Sequence, residues 1–232
     1  MKKVAIITAR GGSKRIPKKN IKDFLGKPII AYSIEAAISS QLFDEIMVST
    51  DDDEIATIAA RYGAKVPFIR SSKNADDFAT TVDVLLEVIE KYQKVGLEYT
   101  YGCCLYPTAP FITSELLNES FDLLNKKGFD TVFPAVRFGN PIQRALKKDK
   151  DGKISIMQPK YKLTRSQDLE NSYYDSGQFY WFDTKVLTKN KSLWTENTGV
   201  IEIDEHKVQD IDNLTDWRLA ELKYKLLIEE KT

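Results

Sequence analysis

Residues 9–15 read Ala9-Arg10-Gly11-Gly12-Ser13-Lys14-Arg15, which gathers two glycines, one hydroxyl and three cations in one short stretch. Glycines let backbone N–H groups approach phosphate oxygens closely, arginine offers a planar pair of donors and lysine a compact charge, so the stretch is suited to gripping a triphosphate. Lys18, Lys19 and Asn20 follow directly. The spacing is neither Gly-x-Gly-x-x-Gly nor a loop ending Gly-Lys-Ser/Thr, so neither a dinucleotide-binding fold nor a P-loop NTPase is supported. On composition alone, a solvated basic turn stays open as the alternative.

A second chemical pair lies near the other end of the chain. Asp210 and Asp212 flank Ile211, and on an extended backbone both carboxylates share one face while the isoleucine points to the other. Such a face can hold Mg²⁺, which takes one or two carboxylates together with phosphates and water; helix capping near Asn213 is the competing reading. Asp51 and Asp52 stand between a strand and a helix, where N-capping explains them. His206 is the only histidine, and without a partner it is assigned no acid–base role. Cys103 and Cys104 are adjacent in an apolar run and read as core thiols, which argues against a disulfide-stapled fold and against structural zinc.

These residues need a frame. Apolar β-branched runs at 3–8, 45–49, 65–69, 101–105 and 131–136 alternate with helical periodicity at 29–39, 53–61, 80–94 and 114–126, with Pro28 in the first turn of the first helix. That alternation predicts an α/β fold, a three-layer α/β/α sandwich on a mainly parallel sheet, with ligands outside the C-terminal ends of the strands. After residue 136 turn signals crowd the chain and an excursion is expected over about 139–174, before strands at 177–182 and 200–203 and a helix over 215–229 capped by Asn213 or Thr215. The 232 residues fit one domain, 1–232. With 34 basic and 34 acidic residues, no overall field draws the protein to nucleic acid or to a membrane surface. The short apolar run at the N-terminus resembles neither a signal peptide nor a membrane span, so a cytoplasmic location is expected.

The stretch Ala9 to Asn20 closely resembles the signature of the acylneuraminate cytidylyltransferase family. Ser49-Thr50-Asp51-Asp52, Tyr106-Pro107-Thr108-Ala109-Pro110, Arg165-Ser166-Gln167-Asp168-Leu169, Gly177-Gln178-Phe179-Tyr180 and Val208-Gln209-Asp210-Ile211-Asp212 resemble further family segments in the same order. Among its branches the one acting on pseudaminic acid is most similar. Sialic acid members carry Gln where this chain has Tyr106, and Arg-Pro-Asn-Gly where it has Tyr174-Asp175-Ser176-Gly177.

The resemblance implies a Rossmann-like nucleotidyltransferase sheet on which CMP passes from CTP to the anomeric hydroxyl of a nonulosonic acid and pyrophosphate leaves. It implies nucleotide contacts from Arg10, Gly11, Gly12, Ser13, Lys14, Arg15, Lys19 and Asn20, and cytosine-side contacts from Arg70 and Thr81. Arg10, Lys19 and Asp212 would be catalytic, with Mg²⁺ on Asp210 and Asp212. Tyr106, Gln143, Arg144, Arg165, Gln167, Gln178 and Tyr180 would meet the sugar. The excursion would pack on a second copy in a twofold homodimer and help complete its sugar site. An enzyme for N-acetylneuraminic acid or 3-deoxy-octulosonate is the nearest alternative, and a non-catalytic nucleotide-binding module is the alternative of another class.

Overall fold

The computed structural model describes residues 1–229. Its main sheet contains strands β1 (Lys3–Thr8), β4 (Glu45–Ser49), β5 (Tyr101–Leu105), β6 (Thr131–Arg137), β9 (Tyr173–Asp175), β10 (Phe179–Asp183) and β11 (Thr198–Ile203). The spatial order is β11-β6-β10-β5-β1-β4, with β9 also on β6. Strands β4, β1 and β5 are mutually parallel, as are β6 and β11, whereas β10 runs antiparallel between β5 and β6. Two small hairpins stand apart, β2 (Asp23–Phe24) with β3 (Lys27–Pro28) and β7 (Leu146–Lys148) with β8 (Ile154–Ile156).

Alternation along the strands divides the core into two layers. Ala5, Ile7, Cys103 and Leu105 pack with residues of α1 (Ile29–Ser40), α2 (Asp53–Arg61) and α4 (Ser114–Lys127) on one face. Val4, Ile6 and Cys104 pack with α3 (Thr81–Lys94) and α5 (Thr184–Asn190) on the other. This is the three-layer sandwich expected from strands buried on both faces. Both cysteines are free and fully buried, and burial raises their thiols above the usual range. A third cluster joins Ile16, Phe24 and Tyr32 to Ile211 and Trp217, and so ties α6 (Leu214–Glu229) to the segment after the phosphate loop.

Some expectations need correction. The run at 65–69 is no strand; only Lys65 bridges Met47, exchanging backbone hydrogen bonds with Ile46 and Val48, and Pro67 two residues on has no N–H to extend a ladder. Pro28 caps α1 from outside the helix, and Thr80 caps α3 through a capping box with Asp83, so that helix starts at Thr81. The excursion holds the β7–β8 hairpin and single turns at Ile142–Arg144, Pro159–Tyr161 and Ser166–Asp168. Helix α5 and the β2–β3 hairpin are too short for a periodic signal. Among the described residues no helix is long and apolar enough to cross a membrane.

Candidate active site

The loop at 9–15 leaves the C-terminal end of β1 beside that of β4. Asp51 accepts the Gly11 N–H at 2.9 Å, and a Cβ on Gly11 would stand 2.7 Å from the Asp52 carboxylate, so the close approach requires glycine. Asp52 also caps α2, accepting from the N–H groups of Glu54 and Ile55, as the sequence suggested. Lys18 adopts a left-handed backbone (φ 50°) and starts the single turn Lys19–Ile21. Its ammonium pairs with Glu54, while Lys19 runs the other way and donates to the Ile211 carbonyl at 2.7 Å. Asn20 is buried and donates to the Arg10 carbonyl, so it braces the loop from beneath.

Arg10, Ser13, Lys14, Arg15, Lys19 and Asn20 line one cavity of about 410 Å³, together with Asp77 and Tyr106. Asp77 was not legible as a site residue. It pairs with Arg10 at 2.8 Å and with Lys14, and these cations hold its carboxyl below the usual range. Nothing in the spacing of residues 67 and 63 positions apart could have shown this.

The segment before α6 brings the two aspartates to the same place. Asn213 caps α6, and Asp216 accepts the N–H groups of Asp212 and Asn213, so a capping box fixes the turn. Ile211 is buried among Trp217 and Phe24, which turns Asp210 and Asp212 outward. Arg15 reaches Asp212 at 2.7 Å. Burial, then repulsion from Asp212, pushes the Asp210 carboxyl above its usual value. Burial holds the Lys19 ammonium below its own, opposed by Asp212. Two mutually repelling oxygen donors beside an open cavity fit a hard divalent cation. Among the described residues no group of three or more His, Cys, Asp or Glu could hold a metal, so phosphate and water oxygens would have to complete its shell.

Arg70 is buried and turned onto Ser49, donating to its hydroxyl at 3.0 Å and to its carbonyl. Burial lowers its basicity, with Asp51 and Glu87 opposing. Thr81, Tyr106 and Tyr180 line a second cavity of about 460 Å³, and Tyr106 forms the wall between this cavity and the first. Gln178 is placed differently from the expectation: it is buried, its amide N–H donates to the Lys207 carbonyl at 2.9 Å, and it lies outside both cavity linings.

The excursion residues meet one another rather than these cavities. Gln143 donates to the Glu170 carbonyl at 2.8 Å, Arg144 to Ser166 at 3.3 Å, and Arg165 forks onto Asp168 at 2.7 and 3.1 Å. Gln167 lines a separate space of about 220 Å³ beside Arg137 and Phe138.

Comparison with known proteins decides the family. A cytidylyltransferase family model matches residues 4–224. The chain belongs to that family. It is 40% identical over 226 residues to a pseudaminic acid cytidylyltransferase of Campylobacter jejuni, covering 97% of each chain. It is 32% identical over 228 residues to a CMP-N,N'-diacetyllegionaminic acid synthase of Legionella pneumophila, covering 95% of each. Among solved structures, a CMP:2-keto-3-deoxy-manno-octonic acid synthetase complexed with CTP superposes with a TM-score of 0.71 at 19% identity, covering 99% of this chain and 100% of the other. The last likeness speaks for the fold.

Proposed function

We propose that the protein is a single nucleotidyltransferase domain that transfers CMP from CTP to the anomeric hydroxyl of pseudaminic acid, giving CMP-pseudaminic acid and pyrophosphate. What carries the reading is the convergence of Arg10, Lys14, Arg15 and Lys19 on one cavity beside Asp210 and Asp212, in a family member 40% identical over its length to a pseudaminic acid enzyme. The anomeric oxygen attacks the α-phosphorus, the bond to the bridging oxygen breaks and pyrophosphate leaves with its electrons. Such a displacement asks the protein for alignment and for positive charge.

Arg10, Lys14 and Arg15 would grip the triphosphate with the Gly11, Gly12 and Ser13 backbone. Lys19, desolvated and held at the Ile211 carbonyl, would place its charge against the reacting phosphate. Asp210 and Asp212 would hold Mg²⁺, which when bound offsets phosphate charge. Arg70 and Thr81 would border the base, and Tyr106 and Tyr180 the sugar.

The excursion supports a homodimer. Leu146, Ile154, Met157 and Leu163 are exposed by 63%, 64%, 57% and 90%, more apolar surface on one short segment than a solvated loop explains. A second copy covering it would also bring Gln143, Arg144, Arg165 and Gln167 toward a neighbouring sugar cavity, which they do not reach within one chain. The reaction would take place where CTP is made, in the cytoplasm. To test the reading, the protein is incubated with CTP, Mg²⁺ and separate nonulosonic acids, pyrophosphate is measured and the product identified by mass. CMP-pseudaminic acid is expected; turnover only with the legionaminic or sialic acid would move the specificity, and none with any acid would end the enzyme reading.

A further inference from the structure

Arg70 lies in the stretch between α2 and α3, and its side chain turns back onto β4. Helix α3 pins the residues on either side of it. The Ile69 carbonyl accepts from Lys91 at 2.6 Å, and Glu87 accepts both the N–H and the hydroxyl of Ser71, at 2.8 and 2.7 Å. Between them the Arg70 N–H donates to the Thr50 carbonyl at 2.8 Å, which lays the residue along the C-terminal end of β4. Arg70 is 7% exposed, its guanidinium forks onto the Ser49 hydroxyl and carbonyl, and it lines neither the phosphate-loop cavity nor the one beyond Tyr106.

The Ser49 carbonyl is a shared acceptor. It also takes the Ala9 N–H at 3.0 Å, at the step where β1 gives way to the phosphate loop. Two residues further on, Asp51 takes the Gly11 N–H at 2.9 Å, and the Thr50 hydroxyl closes the turn by accepting the Asp52 N–H at 3.2 Å. The turn 49–52 therefore holds the loop at Ala9 and again at Gly11, and the residue between those two anchors is Arg10, which lines the cavity. Ser49 and Thr50 are 2% and 0% exposed, so solvent does not reach them to replace the guanidinium.

We propose that Arg70 is a positioning residue for the phosphate loop: by bracing the Ser49–Asp52 turn it fixes Ala9 and Gly11, and so aims Arg10 at a triphosphate whatever base that triphosphate carries. The inference rests on the function proposed above and gives Arg70 a task on the triphosphate side, although its own side chain stays out of the cavity.

Two probes that divide the nucleotide test this on the full chain: inorganic tripolyphosphate, which has no base, and cytidine, which has no phosphate, each titrated and followed by NMR. Arg70→Lys keeps the charge and loses the fork. Its Kd for tripolyphosphate should rise about tenfold, the scale of one charge-assisted hydrogen bond, while its Kd for cytidine stays within about twofold. Amide hydrogen exchange at Ala9 should quicken. Ser49→Ala removes only the hydroxyl half of the fork, so it should give a smaller loss of the same kind, and the two substitutions together should cost less than their sum. Should Arg70→Lys not fold, Ser49→Ala decides through the same readings. An unchanged Kd for tripolyphosphate, a greater loss for cytidine than for tripolyphosphate, additive effects, or Ala9 exchange as slow as in the wild type would each overturn the proposal. A wild type that binds no tripolyphosphate would instead end the triphosphate reading of the loop, and Ala9 exchange would still decide whether Arg70 braces it.

Discussion

The residues around the phosphate loop and those of the excursion differ in what holds them. Arg10 to Asn20 follow a strand whose residues Val4 to Ile7 are buried, and their partners Asp51, Asp77, Ile211 and Asp212 arrive from distant parts of the chain. Gln143, Arg144, Arg165 and Gln167 lie on short turns whose contacts stay within residues 137–172. The proposed nucleotide half draws its contacts from within one copy; the proposed sugar half would need a second copy to bring the excursion to it. Geometry pinned by a core is preorganised, whereas geometry on an open excursion needs an interface to fix it.

The sharpest way to break the comparison is at the nucleotide half. Asp212→Asn leaves Ile211, the capping box and Trp217 in place, so the fold should survive, while kcat should fall on the order of 10²- to 10³-fold, the scale of losing one group that offsets transition-state charge. Near wild-type kcat in a folded variant would remove the metal assignment. The sugar half should break differently. Leu146→Asp with Ile154→Asp puts charge on the exposed hairpin; sedimentation should show a monomer, and KM for the acid should rise at least about tenfold with little change for CTP. A fully active monomer would show the excursion to be self-sufficient.

The same contrast explains what was legible in the sequence. Val4 to Ile7 and Cys103 to Leu105 announce buried strands because each residue must satisfy one of two packed faces, and the layer architecture follows. The antiparallel direction of β10 was not legible, since a strand buried on both faces reads the same either way. The cations of the loop were visible as a cluster, and so was the Asp210–Asp212 alternation. Asp77 was not: its contacts with Arg10 and Lys14 are set by tertiary folding, and a lone aspartate in a loop carries no periodic mark. Gln178 was visible as a polar residue but not as a buried strut to Lys207, because its partner lies 29 residues away and is brought to it only by tertiary folding.

Asp77 offers a smaller effect with an unusual sign. Its carboxylate sits on Arg10 and Lys14, the cations a triphosphate would take, so nucleotide binding must displace or share them. Asp77→Asn should therefore lower the apparent KM for CTP, by about two- to fivefold, the scale of removing one exposed competing charge. A raised KM would mean that Asp77 orders the cations for the ligand instead.

The smallest effect concerns stability. Asp210 has its folded carboxyl pushed above the unfolded value by burial and by Asp212, so ionising it costs the native state. The native state then binds more protons than the unfolded one in the window between the two values. Stability of the metal-free protein falls as pH rises through that window, and the full penalty is present at neutral pH. Asp210→Asn removes the penalty. Metal-free thermal unfolding at pH 7 should shift upward by no more than about 2 °C, since a solvent-screened group contributes little, and the gain should vanish at a pH below both values. Added Mg²⁺ should stabilise the wild type and leave the variant nearly unmoved. A variant melting below the wild type at neutral pH without metal would show that Asp210 is held by contacts that outweigh the repulsion, and the strain would then have to be sought at Asp212 and Arg15.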